Sequence, residues 1–232
     1  MDIAMVADLH GNLPAVEALD ADIRRRGIRR IFCLGDMVGK GPSSAETLDW
    51  ALDNCEVLLR GNWDEGIGMK QFPRDEFYYR QLGERRMKIL CDLPLEHHTL
   101  LSGRKTRLFH GRPVMDKPLF LHDDGEELER FFAPDFEVVG YADVHRQGLR
   151  VVRWSGVMFN TGSVGNGMGL NMVQYAIVHC GDTREDPLDV TLVTLPYDNE
   201  RALEDARKAE KAGLENAQAY LREIATGRYS RK

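Results

Sequence analysis

Short apolar runs that each stop at a polar residue punctuate the first third of the chain. Ile3-Ala4-Met5-Val6-Ala7 stops at Asp8, Ile31-Phe32-Cys33-Leu34 at Gly35-Asp36, and Val57-Leu58-Leu59 at Arg60-Gly61-Asn62. Apolar runs of this length bounded by turn residues read as strands, and those without alternation as strands covered on both faces. Between the first two, Leu13, Val16, Leu19 and Ile23 recur at near-helical spacing, Pro14 is tolerable in a first turn, and Gly27 ends the segment. A second helix is predicted from Ser43 or Ser44, either of which can cap it, through about Asp53. Strand-helix-strand-helix-strand with short links implies right-handed crossovers and a parallel sheet. Asp8, His10, Asp36 and Asn62 then share one edge of it.

The pattern changes after that. Residues 65 to 92 read as mainly helical, with Phe72-Pro73 as a break and Tyr78, Leu82, Arg86 and Ile89 at helical spacing. A hairpin follows: Thr99-Leu100-Leu101, a turn at Ser102-Gly103-Arg104-Lys105, then Thr106 to Phe109 ending at His110-Gly111. His97 and His98, neighbours on its first strand, point to opposite faces and take structural roles. Residues 112 to 135 are an irregular insertion with one short helix capped by Asp123 or Asp124. Phe136 to Tyr141 is a strand that delivers Asp143 and His145. Strand-like stretches at Met172 to His179 and Val190 to Leu195 precede a final helix over about 198–225, with a break point near Gly213. No repeat, low-complexity tract or linker interrupts the chain. The expectation is a single domain over 1–232, with cap-like insertions at about 65–92 and 112–135.

Composition narrows the function. The 232 residues suffice to bury a full core, and a net charge of -6 argues against a nucleic-acid surface built on basic charge. The one basic cluster, Arg24-Arg25-Arg26 with Arg29-Arg30, falls where the first helix ends, facing its dipole. Cys33, Cys55, Cys91 and Cys180 lack paired metal spacing and read as reduced thiols. The N-terminus enters a strand at once, and no stretch approaches the roughly 20 apolar residues of a membrane helix. A cytoplasmic protein without nucleic-acid or membrane partners is expected.

The candidate chemistry sits at the strand ends. Asp8 and His10, two apart on an extended chain, point the same way. Asp8, His10, Asp36, Asn62, His110, Asp143 and His145 come from five segments, each after a strand-like run, and offer oxygen and nitrogen but no sulfur. Such a set suits two hard or borderline metal ions. Asp-x-His-Gly-Asn, Gly-Asp, Gly-Asn-x-Asp, His-Gly and a terminal x-x-His resemble the calcineurin-like metallophosphoesterases, from the N-terminus through Gly165.

That resemblance implies an α/β fold, a four-layer αββα sandwich of two mixed sheets, in place of a single parallel sheet. It implies one metal held by Asp8, His10, Asp36 and His145, and a second by Asp36, Asn62, His110 and residue 143, with Asp36 bridging. It further implies attack on phosphorus by a hydroxide between the metals. Two positions depart from the family pattern. Trp63 stands where Gly-Asn-His is common, and Ala142-Asp143-Val144-His145 replaces Gly-His-Thr-His. Asp143 adds a third carboxylate, which biases the site toward manganese or iron. Arg112 and Lys40 can offset it and hold substrate phosphates. His10, Asn62 and Trp63 are the catalytic candidates, with His10 a partial substitute for the acid that Trp63 cannot supply. Gly162-Ser163 resembles the family's Asn-Pro-Gly-Ser loop, with Thr161 in place of Pro.

The implied activity is hydrolysis of phosphoanhydride or phosphodiester bonds. Gly35 to Pro42 and Pro196-Tyr197-Asp198 look most like bacterial diadenosine tetraphosphate hydrolases, so a small nucleotide is the expected partner. A phosphoprotein phosphatase and an interaction scaffold that kept the fold without the chemistry are the alternatives.

Overall fold

Alternation along the strands decides which way each side chain faces, and it sorts the core into layers. A computed structural model of the chain describes residues 1–230. Residues 231 and 232, the end of the expected 1–232 domain, lie outside the described residues. Strand β1 (Asp2–Val6) sends Ile3 and Met5 to one face and Ala4 and Val6 to the other. β2 (Arg30–Cys33) and β3 (Val57–Leu58) run parallel to it, as the first third of the sequence predicts. β4 (Glu96–Leu101) and β5 (Arg104–Phe109) form the expected hairpin. β6 (Val138–Tyr141), β7 (Gly148–Val152), β8 (Gly156–Asn160), β9 (Val173–His179) and β10 (Asp189–Leu195) complete the strands.

Two five-stranded sheets result, ordered β10-β9-β1-β2-β3 and β4-β5-β6-β8-β7. The single parallel sheet read from the first half is corrected. β9 pairs antiparallel with β1 and carries β10 at its far edge, so a strand from the C-terminal half turns the parallel trio into a mixed sheet. The second sheet is likewise mixed, with β5, β6 and β8 parallel between antiparallel edges.

Ile3, Met5, Phe32, Leu108, Val138, Phe159 and Val178 fill the space between the sheets. Full burial of each such side chain contributes about 1.5–3 kcal/mol. Outside the first sheet lie helix α1 (Leu13–Arg25), α2 (Ser44–Asn54), the short α3 (Asn62–Gly68) and α4 (Glu76–Asp92). Outside the second, Leu128 of α5 (Gly125–Glu129) joins Phe131 and Phe132 over Phe109, Val139 and Tyr141. Asp124 caps α5 by accepting from Glu126 N. These are the four layers of an αββα sandwich.

The C-terminal helix breaks near Gly213 as the sequence predicts, into α6 (Asn199–Lys211) and α7 (Ala217–Thr226), because Gly213 (φ 99) and Asn216 (φ 60) leave the helical region between them. The chain doubles back, and Tyr220, Leu221 and Ile224 cover Ala202 and Ala206. β7 was not expected at all. Its Leu149 and Val151 face outward, 45% and 72% exposed, so these two positions give no core signal. Among the described residues, no helix is long and apolar enough to cross a membrane.

Candidate metal centre

Each parallel strand hands the chain to a loop that turns at once. Asp8 (φ 56), His10 (φ 46), Asp36 (φ 55), Asp143 (φ 68) and His145 (φ 55) all occupy the left-handed region. Outside glycine, Asp, Asn and His are the residues that enter it most readily, and such strained positions cluster at functional sites. The loops hold one another. Asp8 N donates to Gly35 O (2.9 Å), His10 N to Asp36 O (3.1 Å) and Ala142 N to His110 O (2.7 Å). The buried Asp64 carboxylate accepts from Asp36 N (2.7 Å), Met37 N (3.0 Å) and Gly61 N (3.0 Å), joining the loops that carry Asp36 and Asn62. A Cβ on Gly61 would stand 2.1 Å from Asp36 Oδ1, so only glycine lets that carboxylate seat.

The side chains converge. His145 Nε2 lies 3.2 Å and His10 Nε2 3.5 Å from Asp8 Oδ1, while His110 Nε2 lies 3.3 Å and His10 Nε2 3.6 Å from Asp36 Oδ2. Among the described residues, two groups have a geometry able to hold an ion, Asp8-His10-His145 and Asp8-Asp36-His110. Each imidazole uses its other nitrogen on the main chain: His10 Nδ1 on Val38 O, His110 Nδ1 on Leu34 O and His145 Nδ1 on Asn166 O. An Nδ1–H that donates to a carbonyl leaves Nε2 as the nitrogen that can take a proton or a metal. His10 Nε2 and His145 Nε2 are 3.1 Å apart, a spacing that a cation between them would favour. Asp8 Oδ1 and Oδ2, Asn62 Oδ1 and His110 Nε2 are buried without a hydrogen bond. Orphaned buried polar atoms cost about 1–3 kcal/mol each. Metal ions satisfy all of them, so the residues fit the two-ion centre.

Charge follows the same geometry. Burial opposes the charged form of Asp8, yet His145, His10 and His110 hold its carboxyl well below the usual range. Asp36 is lowered in the same way against its burial, first by His110. Burial and Lys40 bring His10 down to about 4. Burial alone would lower His110, but Asp36, Asp8 and Asp143 raise it to about 10. Burial, then the neighbouring Asp36, pushes Asp64 up to about 7 against the pull of its backbone donors.

Other sequence-predicted residues fall in the same place with different partners. Arg112 grips Asp143 bidentately, Nε to Oδ2 at 3.0 Å and Nη2 to Oδ1 at 2.7 Å, so Asp143 is paired with a guanidinium and stands 3.9 Å from His110 Nε2. Lys40 Nζ donates to His145 Nε2 at 3.2 Å and lies 5.9 Å from the Trp63 ring. Trp63 N donates to Asp36 Oδ1 (2.8 Å), and its ring meets the His10 edge at 5.8 Å. His10 places Nδ1 against Val38 O and its pKa is depressed, so in the metal-free protein it faces the carboxylates as a lone-pair donor. Sequence reasoning assigned no role to Asp64, although Gly-Asn-x-Asp contains it. It also missed Glu223, which holds Asn166 (2.8 Å) behind His145 and whose helix shows no motif.

Over the centre opens a cavity of about 740 Å³, floored by Asp36, Asn62 and His145. Residues from both expected caps line it, Phe72 and Arg74 from one and Phe120 from the other.

Residues 1–183 match the family model of the calcineurin-like phosphoesterase superfamily domain. An uncharacterized protein of Methanocaldococcus jannaschii, MJ0912, is 27% identical over 87% of this chain and 90% of its own. A metallophosphoesterase from Sphaerobacter thermophilus has a similar fold, with TM-score 0.77 and 22% identity over 98% of this chain and 99% of the other. So has the hypothetical protein PH1004 of Pyrococcus horikoshii, at 0.79 and 21% over 99% of both.

Proposed function

This chain belongs to the calcineurin-like phosphoesterase superfamily, and on that premise we propose that it hydrolyses phosphoanhydride or phosphodiester bonds of small nucleotides. Dinucleoside polyphosphates such as diadenosine tetraphosphate are the substrate class. One observation carries the reading: three imidazoles each spend Nδ1–H on a main-chain carbonyl and turn Nε2 toward buried carboxylates. Asp8, His10, Asp36 and His145 would hold one ion, and Asp36, Asn62, His110 and Asp143 the other. Manganese or iron suits this oxygen-rich set. When bound, two such ions supply Lewis acidity toward phosphate oxygens and an activated water at neutral pH.

The chain's own residues do the rest. Val38, Leu34 and Asn166 fix the imidazoles' tautomers through their carbonyls. Asp64 sets the distance between the Asp36 and Asn62 loops. Lys40 and Arg112 line the cavity within reach of a phosphate seated on its floor. Segments 65–92 and 112–135 act as caps of the 1–232 domain that restrict the site to small substrates, which disfavours a phosphoprotein. An inert scaffold finds support in the Arg112–Asp143 pair, which draws a ligand from the second ion. Elemental analysis, with hydrolysis of bis(4-nitrophenyl) phosphate and diadenosine tetraphosphate with and without manganese, decides between them. Two ions per chain and manganese-dependent turnover are expected. A metal-loaded protein that turns over neither compound refutes the enzyme reading.

A further inference from the structure

Part of the cavity wall is built by residues that are not candidate metal ligands. Arg74, Arg146 and Arg222 all line it, and among the described residues none has a carboxylate partner. Elsewhere the molecule pairs its guanidinium groups freely: Arg30 with Glu56, Arg86 with Asp49, Arg107 with Glu96, Arg184 with Glu137. Two of the three lie on aromatic rings, Arg74 over Phe72 at 4.8 Å and Arg146 over Phe120 at 5.5 Å. Stacking steadies a guanidinium but leaves its charge and its donors available to an anion. Rings line the same wall: Tyr229 is 66% and Phe72 43% exposed, large apolar surface left facing a positively charged hollow.

This wall is tied to the centre. Arg222 precedes Glu223, which is fully buried; its Oε2 accepts from Asn166 Nδ2 at 2.8 Å, and Asn166 O accepts from His145 Nδ1 at 2.7 Å. Glu223 Oε1 accepts from Ser230 N at 3.2 Å, which fixes the residue after Tyr229. Gly169 N donates to Gly227 O at 2.9 Å, closing the turn onto the loop beside the site. The position of Arg222 and Tyr229 relative to the metal ligands is therefore set by hydrogen bonds and not by a free tail. Both lie beyond residue 183, where the family match ends.

We propose that Arg74, Arg146 and Arg222, with Phe72, Phe120 and Tyr229, form a second, non-reacting subsite that holds the distal phosphate and ring of a nucleoside polyphosphate. The subsite presupposes the hydrolase proposed above for catalysis, but its binding does not require turnover. Arginine forks match phosphate oxygens bidentately, and aromatic faces accept any base. An ester too short to span the cavity gains nothing from it. The chain thereby selects for length and charge of the substrate, in part through Arg222 and Tyr229, which lie beyond the family match.

The test compares wild type with Arg222→Gln, Arg146→Gln and Tyr229→Ala. With manganese present, kcat/KM is measured for diadenosine tetraphosphate and for bis(4-nitrophenyl) phosphate; separately, ATP is titrated calorimetrically into metal-free protein. The ratio of the two kcat/KM values is expected to fall at least tenfold in Arg222→Gln, mostly through KM, with Arg222→Lys recovering part of the loss. ATP affinity falls in parallel. If the nitrophenyl ester is turned over and neither the ratio nor ATP binding changes by twofold in any variant, the subsite is overturned while the hydrolase reading stands. If neither compound is turned over, the hydrolase reading fails and the titration judges the subsite alone. ATP binding weakened by Arg222→Gln upholds it, and absence of ATP binding overturns it.

Discussion

Removing Arg112 strands a carboxylate. Asp143 is 1% exposed at its side chain and accepts two charge-assisted bonds from a guanidinium that is itself 39% exposed. Breaking a fully buried pair by deleting one partner costs about 3–5 kcal/mol. Exposed pairs are worth about 0–1 kcal/mol. With one partner buried and the other more than a third exposed, Arg112→Ala should cost about 2 kcal/mol in metal-free protein, between those limits. For a chain of 232 residues each kcal/mol is worth about 2–4 °C in Tm, so a fall of about 4–8 °C is expected. The assay is a double-mutant cycle: thermal denaturation of wild type, Arg112→Ala, Asp143→Ala and the double variant in chelator. Deleting Asp143 as well should recover most of the loss. The same four proteins are then melted with manganese. If Asp143 is a ligand that Arg112 restrains, the metal raises Tm more in Arg112→Ala than in wild type, and Asp143→Ala loses metal at one site only. A coupling energy under about 0.5 kcal/mol refutes the energetic argument. Equal metal stabilisation in the first two proteins refutes the competition.

Asp36→Ala removes the carboxylate that faces both His10 and His110; metal content should fall at both sites and turnover should vanish, and near-normal activity with full occupancy would sink the bridging assignment. In metal-free protein His110 is raised to about 10, so that stabilising charge is fully present below its unfolded value near 6.5 and is lost as pH rises through about 10. Metal must displace the proton, so about one proton should be released at the His110 site between pH 7 and 9; calorimetry in buffers of different ionisation enthalpy reads it, and none released would exclude His110 as a ligand. Trp63 offers only an indole N–H, which cannot titrate near neutrality. Wild type should therefore depend steeply on leaving-group pKa and Trp63→His less so; equal slopes across graded phosphate esters would show that Trp63 leaves no acid missing.

The strands that carry the centre were legible because their signal is local. An apolar run followed by Asp-x-His or Gly-Asp states both the strand and its end, and Asp8, His10, Asp36 and His110 gather where those ends meet. That the sheets are two and mixed was legible only through family resemblance, since β9 reaches β1 across most of the chain to make the first sheet mixed and no local pattern announces that pairing. β7 escaped because Leu149 and Val151 face solvent and Val152 alone of its apolar side chains is buried. Arg112 was expected to offset the charge of Asp143, but the direct pairing was not legible. Arg112 and Asp143 follow adjacent parallel strands, β5 and β6, so their encounter is a property of sheet order. Arg222 and Glu223 depend on the reversal at Gly213 and Asn216, which one uninterrupted helix would have carried away from the site.

The left-handed turns at the strand ends restrict what can be written there. A β-branched or bulky residue at Asp8, His10, Asp36, Asp143 or His145 meets a backbone that opposes it before its chemistry is tested, whereas Asp, Asn and His enter that conformation at small cost. The centre is thus an interchangeable socket for three side chains. Asp143→His and Asp143→Asn alter charge and donor type at φ 68 without asking the loop to refold. If Asp143 is a ligand, these two substitutions should shift metal preference at this one position while the loop keeps its shape.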